Sequence, residues 1–396
     1  MNNSSLKKRL LSVAMAAVMV FSLLPATAWA AMAENLPAAS GQTRTEQKRG
    51  GSDTYTVTRD VKSVAVAQTG AVKKVVLDLT TGEDQVSLDA NGGYQWVAGE
   101  NYLYLYKVQI EAEGSNALIL PAGTTVKVVG ECSITGGGAN ECAVWSKGDV
   151  TVGLGQDAAL TVNGLGWRAE GNLTVAHAYD AYTGGELTVN YNGTSSDNGT
   201  SGAAIYMGGN TLRVEQGARV TANGSGIGNV KAKDSCGVKG AVYVDGGAEL
   251  VADGGSAGSA GISYGIFGDV TVKNGTVTAT GGSGLQSYGV SGNSVSVSDG
   301  GVLNANGGTA VQDLNSSIKP ISGGIYLGNN AVIENAAVNA SGGVAPCGNS
   351  FASVGLQMTS RSEVTVNSGG VLNANGGQLT NGSSANETNA SAPVSI

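Results

Sequence analysis

The sequence predicts an all-β chain folded as a right-handed parallel β-helix, a solenoid of three-strand coils closed by an N-terminal β cap. Three observations predict it. One short motif recurs nine times at a coil-sized interval. Two further apolar/polar alternating segments, bounded by Gly or Asn, follow many of its copies. Glycine supplies 63 of 396 residues while hydrophobic residues stand at 41 % and charged ones at only 13 %. That balance suits many short strands joined by tight turns and is too apolar for a disordered chain.

The motif is a small residue, an aliphatic one and often an aromatic. Its clear copies are Ala143-Val144-Trp145, Ala204-Ile205-Tyr206, Ala241-Val242-Tyr243, Gly265-Ile266-Phe267 and Gly324-Ile325-Tyr326. Weaker ones are centred on Leu118, Trp167, Val290 and Leu356. Successive centres lie 23 to 38 residues apart, and the shortest intervals cluster at 23–24. Second segments such as Thr211-Leu212-Arg213-Val214 and third segments such as Val277-Thr278-Ala279-Thr280 complete each unit. Three such strands cannot bury an apolar face alone, but stacked coils can. Right-handedness is expected from the bias of parallel crossovers.

The chain divides into five parts. Residues 1–30 read as a secretory signal peptide: Lys7, Lys8 and Arg9, an apolar run from Leu10 to Leu24, and Ala28-Trp29-Ala30 before the cleavage point. Residues 31–60 lack apolar periodicity and read as a flexible linker. Residues 61–116, with Val75-Val76-Leu77 and Tyr102-Leu103-Tyr104-Leu105-Tyr106, read as the cap and first coils. The β-helix covers 117–379, and 380–396 reads as a disordered tail rich in Asn, Ser and Ala. No later stretch is apolar enough to span a membrane, so a secreted or loosely surface-associated protein is expected.

The alternation Gly148 to Val152 and Gly268 to Val272, then Val277 to Gly282 and Gly324 to Tyr326, resembles the secreted, pectate-lyase-like β-helix proteins of Gram-positive anaerobes. The resemblance covers roughly residues 115–378. It implies an extracellular carbohydrate ligand, and some of that group bind without catalysis.

Charge excludes one class of partner. Without Lys7, Lys8 and Arg9, the 22 Lys+Arg fall to 19 against 30 Asp+Glu, a net charge of −11. Nucleic acid rewards the opposite sign. Catalytic constellations are equally thin. A glycoside hydrolase needs paired carboxylates, yet the acids of the β-helix after residue 240 are scattered singly: Asp245, Glu249, Asp253, Asp269, Asp299, Asp313, Glu334 and Glu363. The basic groups there, Lys273, Lys319 and Arg361, share no rung with two acids. The lone His177 has no evident partner and reads as a surface residue. No cofactor is expected. Asp197-Asn198 offers oxygen donors for calcium, but without spaced carboxylates it reads as a plain Asn/Gly turn. Cys132, Cys142, Cys236 and Cys347 either form disulfides in an exported protein or remain thiols.

Registering the repeats leaves one candidate site. If the motif's aliphatic residue points inward, the next residue points outward. That column reads Trp145, Arg168, Tyr206, Tyr243, Phe267, Ser291, Tyr326 and Gln357, five aromatics in a chain only 5 % aromatic. Sugar rings stack on such side chains, while polar neighbours take their hydroxyls. Carbohydrate-binding candidates are therefore Trp145, Arg168, Tyr206, Tyr243, Phe267 and Tyr326, for an extracellular polysaccharide bound without cleavage. A second outward column (Asn163, Asn223, Asp253, Thr280, Asn306, Ser341, Asn375) reads as turn structure. An adhesin-like structural protein, or a polysaccharide lyase or hydrolase, would be the alternative functions.

Overall fold

The computed structural model describes residues 44–46, 55–57, 76–89, 92–138, 141–179, 184–192, 202–224, 234–258, 260–312, 319–346, 352–380 and 392–395. The expected signal peptide, Asp197-Asn198 and Cys347 lie outside these residues. The described chain is all-β. Its strands form mainly parallel sheets, and its one helical turn is the short 3-10 segment Ala98–Glu100. No described helix is long and apolar enough to cross a membrane.

Each coil adds one strand to each of three ladders. In the first ladder, Leu118, Val144, Trp167, Ile205, Val238, Ile266, Val290, Ile325 and Leu356 pair in succession. All are buried. In the second, Leu103, Val126, Val152, Val175, Val214, Val244, Val272, Val297 and Ile333 do the same. The third is a separate ten-stranded sheet whose inward residues change character along the stack, from Ile134, Val162 and Val189 to Ala222, Ala252, Ala279, Ala305 and Ala340. Strict alternation makes this possible: in every strand of 249–253, 276–280, 302–306 and 337–341 the second and fourth residues are buried. This repeat-like parallel architecture is consistent with a β-solenoid.

Two expectations need correction. Ser235–Val244 is one continuous strand that serves two ladders, so its first-ladder residue is Val238 and not Val242. Val242 pairs with Leu212 and Val270 in the second ladder. Small-aliphatic-outward alternation is the same in both ladders, so the motif alone does not say which one a copy occupies. The later coils also carry a fourth short ladder, Ser283–Gly284, Thr309–Ala310, Val344–Pro346 and Gln378–Thr380, where three strands per coil were expected.

At the N-terminal end, Gln85–Asp89, Gly92–Val97 and Tyr102–Tyr106 form an antiparallel meander that buries Tyr94 and Trp96. Tyr102–Tyr106 then pairs in parallel with Thr124–Val129, which joins the meander to the stack and covers its edge. Within the expected linker, Arg44–Glu46 and Tyr55–Val57 pair antiparallel. Within the expected tail, Ala392–Ser395 pairs with Ala352–Met358.

The polar groups are used to join coils. Asn190 donates to Asn163 at 2.9 Å and Asn223 to Asn190 at 2.8 Å. Asn339 and Asn373 extend a second outward ladder from Asn304 at 2.9 and 2.8 Å. These asparagines lie on strands, where rung-to-rung amide bonds hold them, and not only beside turns.

Candidate functional site

The true outward column of the first ladder follows from the corrected register: Trp145, Arg168, Tyr206, Lys239, Phe267, Ser291, Tyr326 and Gln357. Aromatic and polar residues alternate strictly. Coils at ~4.8 Å place successive aromatic residues roughly 9.6 Å apart along the stack. Lys239 sits between two of them, its Nζ 5.8 Å from the Tyr206 ring and 5.7 Å from that of Phe267.

Tyr243 does not belong to this column. It stands outward on the second ladder between Arg213 and Thr271. The Arg213 guanidinium lies 4.1 Å from its ring centroid, and its hydroxyl donates to Asp245 at 2.7 Å. That hydrogen bond holds its proton and raises its pKa. Arg213 is itself paired with Glu215 at 2.8 Å. Tyr243 is thus engaged on its face and at its tip. Trp145 is likewise covered: Lys147 lies over its ring and the Arg168 guanidinium is 5.3 Å away.

The central part of the column is wider than the motif suggested. Two residues before the first-ladder aliphatic position, Tyr264 and Tyr288 pair one coil apart and form, with Ala203 and Cys236, a second buried cluster beside the column. Tyr264 stacks on Phe267 with centroids 4.7 Å apart, and on Tyr288 at 6.2 Å. Tyr288 meets Tyr326 at 5.7 Å and donates its hydroxyl to Gln357 at 3.1 Å. Tyr206, Ile262, Ile321 and Tyr326 pack partly buried around this group. Tyr264 and Tyr288 are 6 % and 4 % exposed, whereas Phe267 is 40 % exposed. A buried pair therefore supports an open ring. Burial foremost raises the pKa of both buried tyrosines, so their hydroxyls stay protonated donors at ordinary pH. Their spacing in Ser263-Tyr264-Gly265 and Ser287-Tyr288-Gly289 was visible in the sequence. The recurring motif starts one residue later, at the glycine, and so leaves both tyrosines out.

The structure brings Tyr206, Phe267 and Tyr326 together, places Trp145 and Arg168 two and one coils before Tyr206, and sets Tyr243 apart. On the second ladder, Thr151, Thr174, Thr271 and Ser296 stand outward on either side of the Arg213–Tyr243 pair.

The other chemical groups are structurally engaged. His177, expected at the surface, is 5 % exposed, and its Nε2 accepts the Gly185 N–H at 3.2 Å. It is inward because His177 pairs with Leu154 at the end of a strand whose Leu173 and Val175 face the core. Asp269 Oδ1 accepts the N–H groups of Asn293 and Ser294, both at 2.9 Å, and so ties two coil corners. Glu186 and Glu249 flank Arg219 at 3.9 and 3.7 Å. Cys132, Cys142 and Cys236 are buried free thiols. No cluster of three or more His, Cys, Asp or Glu that could hold a metal occurs among the described residues. No protein family, curated protein or solved structure matches this chain.

Proposed function

We propose that this protein is an exported, pectate-lyase-like right-handed parallel β-helix that binds extracellular polysaccharide without cleaving it. The observation that carries this reading is the aromatic group of Tyr206, Tyr264, Phe267, Tyr288 and Tyr326, with its open ring at Phe267. A rigid ring held by a stacked neighbour offers a flat face at little entropic cost, which suits the C–H face of a sugar. Lys239 and Gln357 stand beside the rings on the same column to meet hydroxyls. At about 0.5–1.5 kcal/mol per ring, by analogy with aromatic pairs, a few rings give micromolar to millimolar affinity. Binding is proposed in preference to cleavage because Asp245, Asp269, Glu186 and Glu249 are committed to turn, corner and ion-pair contacts.

Affinity electrophoresis of the mature chain against a panel of soluble neutral polysaccharides tests the reading. At least one should retard it, and no reducing sugar should be released. Phe267→Ala with Tyr326→Ala should weaken retardation at least tenfold at an unchanged melting temperature, whereas Tyr243→Ala should leave it intact. If no polysaccharide retards the wild type, the scaffold reading takes its place; the asparagine ladders that bond coil to coil favour that reading.

A further inference from the structure

A second aromatic surface lies at the other end of the stack, where the meander joins the coils. In Tyr102–Tyr106 the leucines face the core and Tyr102, Tyr104 and Tyr106 face outward, half-buried. Alternate residues of a strand lie roughly 7 Å apart, so the three rings form a row across the coil and not along it. On the meander side, their partners are Val97, Gln95 and Gly93. Gly93 has φ +142° and lies against Ser87 and Leu88, so no side chain can stand there to cover Tyr106. On the coil side, the partners are Thr125, Lys127 and Val129, and Lys127 is followed in the next coil by Gly153. A fourth ring comes from elsewhere in the chain: Tyr179, 39 % exposed, whose hydroxyl is 3.5 Å from Lys127 Nζ, which lies 4.9 Å from its ring. Lys107, exposed at the strand's end, lies 5.3 Å from the Tyr106 ring.

Two ammonium groups thus lie against rings of this face, Lys107 against Tyr106 and Lys127 against Tyr179, with Glu100 near Tyr102 as an acidic neighbour. The chain as a whole is acidic, with a formal net charge of −8, and the two lysines are the groups on this face that an anionic ligand would meet. Flat rings take sugar faces, phenol hydroxyls take sugar hydroxyls, and the lysines complement an anionic substituent. We propose that this face is a second glycan-binding surface, selective for sugars that carry anionic groups. It is separate from the Phe267 group: six coils at ~4.8 Å put it roughly 29 Å away along the stack, on the neighbouring ladder. It rests on its own residues and stands or falls apart from the first site.

Carboxymethyl cellulose and hydroxyethyl cellulose share a backbone and differ in charge, so they separate the two surfaces in native affinity gels. An acidic protein with no such site should be retarded less by the charged polymer. The wild type should instead be retarded at least as strongly by carboxymethyl cellulose. Lys107→Gln with Lys127→Gln, and Tyr104→Ala with Tyr106→Ala, should each weaken that retardation about tenfold and leave hydroxyethyl cellulose binding unchanged. Phe267→Ala with Tyr326→Ala should do the reverse. The proposal is overturned if carboxymethyl cellulose fails to retard the wild type, if both N-terminal double variants bind it normally, or if only the Phe267 variant loses it. A loss with the lysine variant and none with the tyrosine variant would overturn it too, as charge alone.

Discussion

The coils before Ala204 and those after it fill the same cross-section in different ways. The early coils use bulk. Trp167 stands in the first ladder with its Nε1 donating to Ser146 at 2.7 Å, and Ile134, Val162, Val189 and Tyr191 fill the third sheet. The later coils use close approach. Ala252, Ala279, Ala305 and Ala340 face inward there, and a Cβ added to Gly265 would meet the Thr280 nitrogen at 2.6 Å and the Gly289 oxygen at 2.7 Å. Backbone fills the space that side chains fill earlier.

Polar bonds accompany that change. Ser263, Ser287, Ser322 and Ser353 are each fully buried. Ser287 Oγ donates to Gly282 O at 2.8 Å and accepts Gly308 N–H at 2.9 Å. Ser322 repeats this with Gly308 O and Gly343 N–H at 2.7 and 2.9 Å, and Ser353 with Gly343 O and Gly377 N–H at 2.7 and 3.0 Å. The result is a serine spine that ties each glycine turn to the next. The comparison also explains the candidate site. Gly265 and Gly289 approach neighbouring backbone too closely to leave room for a side chain there, and the Tyr264 and Tyr288 rings beside them pack against Phe267 and Tyr326.

The largest expected effect tests the bulk-filled region. Trp167→Ala removes a fully buried indole and strands Ser146, and should cost about 3–5 kcal/mol, read from urea denaturation. A loss below 1 kcal/mol would show that the early coils collapse around the gap, and the contrast with the later coils would be lost. Next comes Gly265→Ala, at about 1–3 kcal/mol or more, because the obstacles are backbone atoms that cannot rotate away. The matching position in the early coils is already Ala143 or Ala204, so glycine there should cost far less. Equal tolerance in both regions would break the close-approach account.

Ser287→Ala follows, at about 1–3 kcal/mol, because Gly308 N–H and Gly282 O lose their buried partner together. Hydrogen exchange should show faster opening at Gly308 without comparable change in the coils around Trp167. Uniform loss of protection along the stack would mean that the spine is not local to the later coils.

Much of the fold was legible because strand alternation writes itself into sequence with a period of two. Val277-Thr278-Ala279-Thr280 announces its buried face directly. The register of Val242 was not legible, since Ala241-Val242-Tyr243 looks the same on either ladder, and only the length of Ser235–Val244 decides. Of the candidate site, Tyr206, Phe267 and Tyr326 could be read from the motif, but the stacking of Tyr264 on Phe267 sits in a strand whose four successive buried residues break the period of two. The serine spine was equally hidden. Each serine stands three residues before its ladder aliphatic, and its partner glycines belong to another segment of the coil.

The smallest effect distinguishes the two regions by pH. Burial pushes the Cys236 thiol in the later coils from 9.0 up to about 12. Burial, then Tyr179, Tyr104 and Glu100, push the Tyr102 hydroxyl in the early coils from 10.0 to about 12. In both cases the folded chain holds its proton more tightly than the unfolded chain, so the stabilising contribution is complete below the unfolded value. It is lost as pH rises toward the folded value, because the unfolded chain releases the proton first. The window therefore opens at 9 for Cys236 and at 10 for Tyr102, and both close near 12. Tyr102 is partly solvated, so its share is the smaller. Thermal melts between pH 8 and pH 12 should fall less steeply for Cys236→Ala than for wild type, with the difference beginning near 9. Tyr102→Phe should give a weaker relief that begins one unit later. If Cys236→Ala tracks the wild type throughout, the thiol reaches solvent, and the later coils are less tightly closed than their glycines and serines imply.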